Sequence, residues 1–181
     1  MSNFLRLRCP PRATFAGVWV AGLLASCGGA ADGQSDDACG PPPQAHALSQ
    51  AFAEHACLHA VHGPFETVEL PPEGEPPVEL RNTHIAYTVP LEPRASSSDG
   101  PPVSYEPKVN APFAFFLSEN LSLSLLDAEG GRVCPTAIHD ATACAQLKRA
   151  VFFDLKRKQP YRLDVDARGA SAVVVVVEEV F

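Results

Sequence analysis

The chain has 181 residues, with 14 Lys and Arg against 21 Asp and Glu, a formal net charge of −7 and 8% aromatic residues. That length suits one core-bearing domain. An acidic, aromatic-poor surface lacks the basic footprint that nucleic acid demands, which excludes nucleic acid as a partner.

Residues 1–26 read as a targeting segment. Arg6, Arg8 and Arg12 give a basic start without an acid, and residues 15–25 form an uncharged, mostly apolar run. That run falls short of the roughly 20 residues that a membrane span needs. It closes in Leu24, Ala25, Ser26 and Cys27, which resembles the lipobox of bacterial lipoproteins. The resemblance implies that Cys27 takes the acyl groups, palmitate among them, and becomes the mature N-terminus. The membrane partner is then met through lipid and not through a helix. The mature chain would keep 155 residues and a formal charge of −10, since three arginines and no acid leave with the leader. Gly28 stands where an aspartate would resemble an inner-membrane retention signal, so the family pattern implies the outer membrane of the cell envelope. The alternative is an ordinary cleaved signal with Cys27 in a disulfide.

Residues 27–44 are mostly Gly, Ala, Asp, Ser and Pro without apolar periodicity, a flexible tether stiffened by Pro41, Pro42 and Pro43. Residues 45–62 are alanine-rich and end at Gly63 and Pro64, which predicts a helix. On a helical wheel Leu48, Ala51, Phe52, His55, Leu58, His59 and His62 share one stripe, the expected packing face.

Strands are expected from there on. Residues 65–70 alternate weakly, 84–91 more strongly, with Pro90 at an edge or an end. Residues 71–77 make a proline-rich connector, 92–102 an exposed serine-rich loop, and 103–107 a short strand. Phe113, Phe115 and Leu117, then Leu121, Leu123 and Leu125, alternate with a period of two and predict a central strand pair turned at residues 118–120. Asp127 to Gly131 is turn chemistry, and 133–147 reads as an irregular connection. Residues 148–155 and 161–165 are strands flanking the basic turn Lys156, Arg157 and Lys158, and the valine run within 172–180 suits a strand buried on both faces. Seven to nine strands with proline- and glycine-rich turns predict a mainly β protein. Its expected architecture is an antiparallel, jelly-roll-like β-sandwich with one N-terminal helix, a single domain over residues 45–181.

Tyr87, Thr88 and Val89, then the run 123–133 with Leu126 and Asp127 before Gly130 and Gly131, then Tyr161, Arg162 and Leu163 together resemble the bacterial pre-peptidase C-terminal type of β-sandwich. The basic turn, the helix and the cysteines depart from that pattern. The resemblance implies an accessory, non-catalytic domain that binds at surfaces, although a fold alone fixes no function.

With Cys9 in the leader and Cys27 acylated, Cys39, Cys57, Cys134 and Cys144 remain, an even number that reads as two disulfides in an exported chain. Proximity in sequence pairs Cys134 with Cys144 and Cys39 with Cys57. No C-x-x-C pair supports a thiolate metal site.

His55, His59 and His62 fall at i, i+4 and i+7, a spacing from which two imidazoles can chelate zinc or copper. Across seven residues a helix rises about 10 Å, so His55 and His62 cannot share one ion. A pair containing His59 would be completed from the sandwich, by His84 foremost, then by His139 or Asp140. The plainer alternative has these histidines edging the apolar stripe. No H-E-x-x-H or G-x-S-x-G motif is present. Glu178 and Glu179 alternate faces and read as a solvated terminus. The expectation is therefore not an enzyme but a membrane-anchored lipoprotein with a binding or structural sandwich, its partner an envelope protein, a glycan or a metal. The alternative is an envelope zinc- or copper-binding protein.

Overall fold

The computed structural model describes residues 39–91, 102–167 and 169–181, all within the unit Asp36–Phe181. The leader, Cys27, the first part of the tether and most of the serine-rich loop lie outside the described residues. In chain order the elements are α1 Gln50–His62, β1 Phe65–Thr67, β2 Val78–Leu80, β3 Ala86–Pro90, β4 Val103–Tyr105, β5 Ala111–Leu117 and β6 Ser122–Leu126. They continue with β7 Arg132–Val133, β8 Ala137–Asp140, β9 Arg149–Leu155, β10 Tyr161–Asp166 and β11 Ala172–Glu179.

The strands form two sheets, ordered β1-β3-β11-β5-β9-β8 and β2-β4-β10-β6-β7. Side chains from both fill the space between them: Val89, Phe113, Phe115, Phe153 and Val175 from the first meet Leu80, Tyr105, Leu125 and Leu163 from the second. The described residues form a mainly β sandwich with one helix, as the alternation implies. Both sheets are mixed and not wholly antiparallel, because β1 pairs with β3 and β2 with β4 in parallel.

The six-stranded sheet is buried on both faces, which explains its unbroken apolar runs. In β11, Val173, Val175 and Val177 point into the inter-sheet core, while Val176 turns to the outer face. There it joins Ala86, Ala114, Phe116, Ala150 and Phe152 under α1.

Several local expectations give way. The predicted central pair separates, with β5 in one sheet and β6 in the other. The chain between them crosses from sheet to sheet where a hairpin was expected. The connection 133–147 is not wholly irregular, for it contains β8, which pairs with β9. Pro90, by contrast, stands where expected, at the end of its strand, with β3 itself between β1 and β11.

The helix also sits rolled from its predicted stripe. It buries Ala53, Ala56 and Cys57, with Phe52 and Ala60 partly covered, while Leu58 is 56% exposed. The buried face lies roughly a third of a turn from the predicted one at 100° per residue. Small side chains let the helix lie close to the sheet, and two disulfides tie this part of the chain to the sandwich, one of them from α1 itself. They join Cys39 to Cys134 and Cys57 to Cys144, which corrects the local pairing expected from sequence. Each closes a long loop, with sequence separations of 95 and 87, so each constrains the unfolded chain by roughly 4–5 kcal/mol on the chain-entropy account. The chain is already stitched to the sandwich before α1, where the Ala45 N–H donates to the Thr136 carbonyl.

Candidate metal centre

Three elements converge at one flank of α1. The helix begins at Ser49, whose hydroxyl accepts from the Phe52 N–H at 3.2 Å. It ends at Gly63, whose φ of 80° a side chain would strain and whose added Cβ would meet the Phe65 ring at 2.8 Å. Between these caps His55 and His59, one turn apart, project side by side with ring centroids 4.9 Å apart.

His84 comes from the loop before β3, in a left-handed conformation (φ 62°) that histidine seldom takes. Its N–H donates to the Val177 carbonyl at 3.1 Å, which fastens the loop beside the next residue of β11, Glu178. Glu178 points to the outer face with Val176, and the small Ala114 stands opposite it in the register. Glu179 turns the other way and lines a cleft with Arg81, Tyr105 and Lys108.

The four ligating atoms, Nε2 of His55 and His59, Nδ1 of His84 and an oxygen of Glu178, all lie within 4.8 Å of one another. His55 Nε2 is 3.3 Å from His84 Nδ1 and 3.4 Å from His59 Nε2. Glu178 oxygens stand 3.8 Å from the His55 and His59 nitrogens and 2.7 Å from His84 Nδ1. A tetrahedron around an ion with bonds of about 2.05 Å has edges of about 3.3 Å. These separations bracket that edge, so the group can hold a metal ion.

The electrostatics point the same way. Glu178 is 1% exposed, and neither of its oxygens has a partner in hydrogen-bonding geometry. Burial pushes its carboxyl up to about 7. Burial also lowers the pKa of His84, helped by the neighbouring His59 and His55, and a neutral imidazole is the form that ligates. His59 Nδ1 lies 3.4 Å from the Gly63 carbonyl. A proton on Nδ1 in that contact leaves the Nε2 lone pair facing the site.

The structure thus brings together His55, His59 and His84 and leaves out His62, which is exposed in the last turn of α1. His139 is occupied elsewhere, with its Nε2 2.6 Å from the His46 carbonyl. It sits with Asp140 on β8, three strands from β11, roughly 14 Å away at 4.8 Å per strand. Sequence reasoning missed Glu178, placed there at a solvated end. The available signal was the valine strand itself: a strand buried on both faces buries whatever residue continues either face.

No family model matches this chain, and neither a curated protein nor a solved structure does.

Proposed function

We propose that this is a non-catalytic, lipid-anchored envelope protein whose sandwich serves as the scaffold of a divalent metal site, with zinc as the resident ion. The observation that carries the reading is Glu178, a buried carboxylate without hydrogen-bond partners whose oxygens face three imidazoles. An unpaired buried charge is costly, and a divalent cation among these residues supplies the missing counter-charge.

The donor set narrows the ion. Cys39, Cys57, Cys134 and Cys144 are all in disulfides, which leaves imidazole and carboxylate. That set suits zinc or copper(II) and lacks the soft sulfur that selects copper(I). Zinc takes such donors in a tetrahedral shell and copper(II) in a square-planar or tetragonal one, a difference that titration with both ions reads out. Four protein ligands would fill the zinc shell, the arrangement of ion-holding sites, whereas hydrolytic sites keep a position open. With His55 side chain 49% and His84 42% exposed, the ion can still exchange with solvent. Two disulfides accord with an oxidising, extracytoplasmic location, and the lipobox resemblance at Cys27 supports the anchor.

Elemental analysis of the purified protein, with zinc and copper titrations of the parent and His59→Ala, tests this reading. One equivalent bound at micromolar or tighter affinity, and lost in the variant, supports it. A parent that binds neither metal overturns it and leaves the histidines as packing at the helix edge.

A further inference from the structure

Resting on the metal-binding reading, we propose that the Cys57–Cys144 disulfide is the positioning bond of the metal centre, holding α1 at the roll angle at which His55 and His59 face His84 and Glu178. Cys57 lies between the two helix ligands in sequence but on nearly the opposite side of α1, about 160–200° from each on the wheel. The two flanks of the helix therefore reach opposite parts of the structure. One carries the imidazoles to β11 and the loop before β3. The other is bonded to Cys144, in the segment 141–148 that joins the edge strand β8 to β9.

Between those flanks the helix meets the sheet mainly through Ala53 and Ala56, and Phe52 is the one large side chain it packs inward, against Phe116 and Phe152. A face of alanines lets a helix approach closely but offers little to stop it turning about its axis. A ring nitrogen roughly 6 Å from that axis moves about 1.5 Å in a 15° roll, most of a Zn–N bond of about 2 Å. The disulfide opposes that roll from the far side, so the helix ligands arrive placed. The other bond, Cys39 to Cys134, joins the chain before α1 to the end of β7 and touches no element that carries a ligand.

The test is zinc titration of the full chain as parent, as Cys57→Ala/Cys144→Ala and as Cys39→Ala/Cys134→Ala, with cobalt(II) visible spectra of each. The Cys57/Cys144 variant should bind zinc at least tenfold more weakly and lose the parent's tetrahedral cobalt bands. The Cys39/Cys134 variant should stay within about threefold and keep its bands. Parent-like affinity and spectrum in the Cys57/Cys144 variant overturn the inference while leaving the metal site standing. A parent that binds no zinc overturns both. Should the Cys57/Cys144 variant not fold, the parent itself is poised in glutathione buffers, where two thiols become one glutathione disulfide as the protein disulfide becomes two thiols. Coupling is reciprocal, so saturating zinc should lower the Cys57–Cys144 midpoint by about 30 mV for a tenfold effect. A midpoint unmoved or raised overturns the inference.

Discussion

His84 Nδ1 lies 2.7 Å from Oε2 of Glu178, yet the carboxylate accepts no hydrogen bond in proper alignment from it. A histidine and a glutamate that only paired with each other would align the N–H on the oxygen lone pair. Here one ligating atom from each of His55, His59, His84 and Glu178 lies within 4.8 Å of the other three, a spacing that one ion can span.

Glu178→Gln keeps the shape and removes the charge. Zinc affinity should fall by a factor of roughly 100 or more, the upper range seen when groups supporting a metal site are lost. Calorimetric titration at pH 7 checks this, and an affinity equal to the parent's would take Glu178 out of the ligand set.

The same substitution isolates a pH effect in the metal-free protein. The Glu178 carboxyl is raised from 4.5 to about 7 by burial, so the folded state binds a proton that the unfolded state releases between those values. Its contribution to stability is fully present below pH 4.5 and is lost as pH rises through about 7, a change of the order of 3 kcal/mol. Denaturant melts of the metal-free parent from pH 5 to 8 should show this decline relative to Glu178→Gln. Parallel curves would mean that the carboxylate is not desolvated.

Histidine variants map the site. His84→Ala should lose zinc as His59→Ala does, whereas His62→Ala and His139→Ala should bind within about twofold of the parent. Parent binding should weaken in acid, because ligation needs the neutral imidazole. A loss of affinity in His62→Ala would move the site to the end of α1.

The register of β6 makes a prediction about the core. Leu123 is 4% exposed between the sheets, so Leu123→Asp buries an unpaired charge and should cost about 3–5 kcal/mol. Ser124 faces outward, where it donates to Asp164 at 3.1 Å and accepts from Arg132 at 2.5 Å. Ser124→Ala should cost about 1 kcal/mol. Comparable drops in melting temperature would place the strand in another register.

Much of this fold is legible in the sequence because strand alternation reports burial directly. Leu123 and Leu125 face the core with Ser124 opposite, and the valines of β11 serve two faces. Pairing is less legible. Nothing in Ser118, Glu119 and Asn120 distinguishes a hairpin turn from a crossing between sheets, and cysteine spacing does not set connectivity. At the site, the i, i+4 histidines and the completing His84 follow from helix geometry and reach. Glu178 does not, since its neighbour Glu179 and the nearby end of the chain suggest solvent. The roll of α1 is hidden too, because alanines give its buried face little hydrophobic contrast against Leu48, Leu58 and His62.

X-ray absorption at the zinc edge of the zinc-loaded protein tests the central claim most directly. The predicted spectrum has a four-coordinate first shell of nitrogen and oxygen at about 2.0–2.1 Å, with the outer-shell scattering of three imidazole rings and no sulfur. A sulfur shell at about 2.3 Å, or scattering from fewer than two imidazoles, would contradict it.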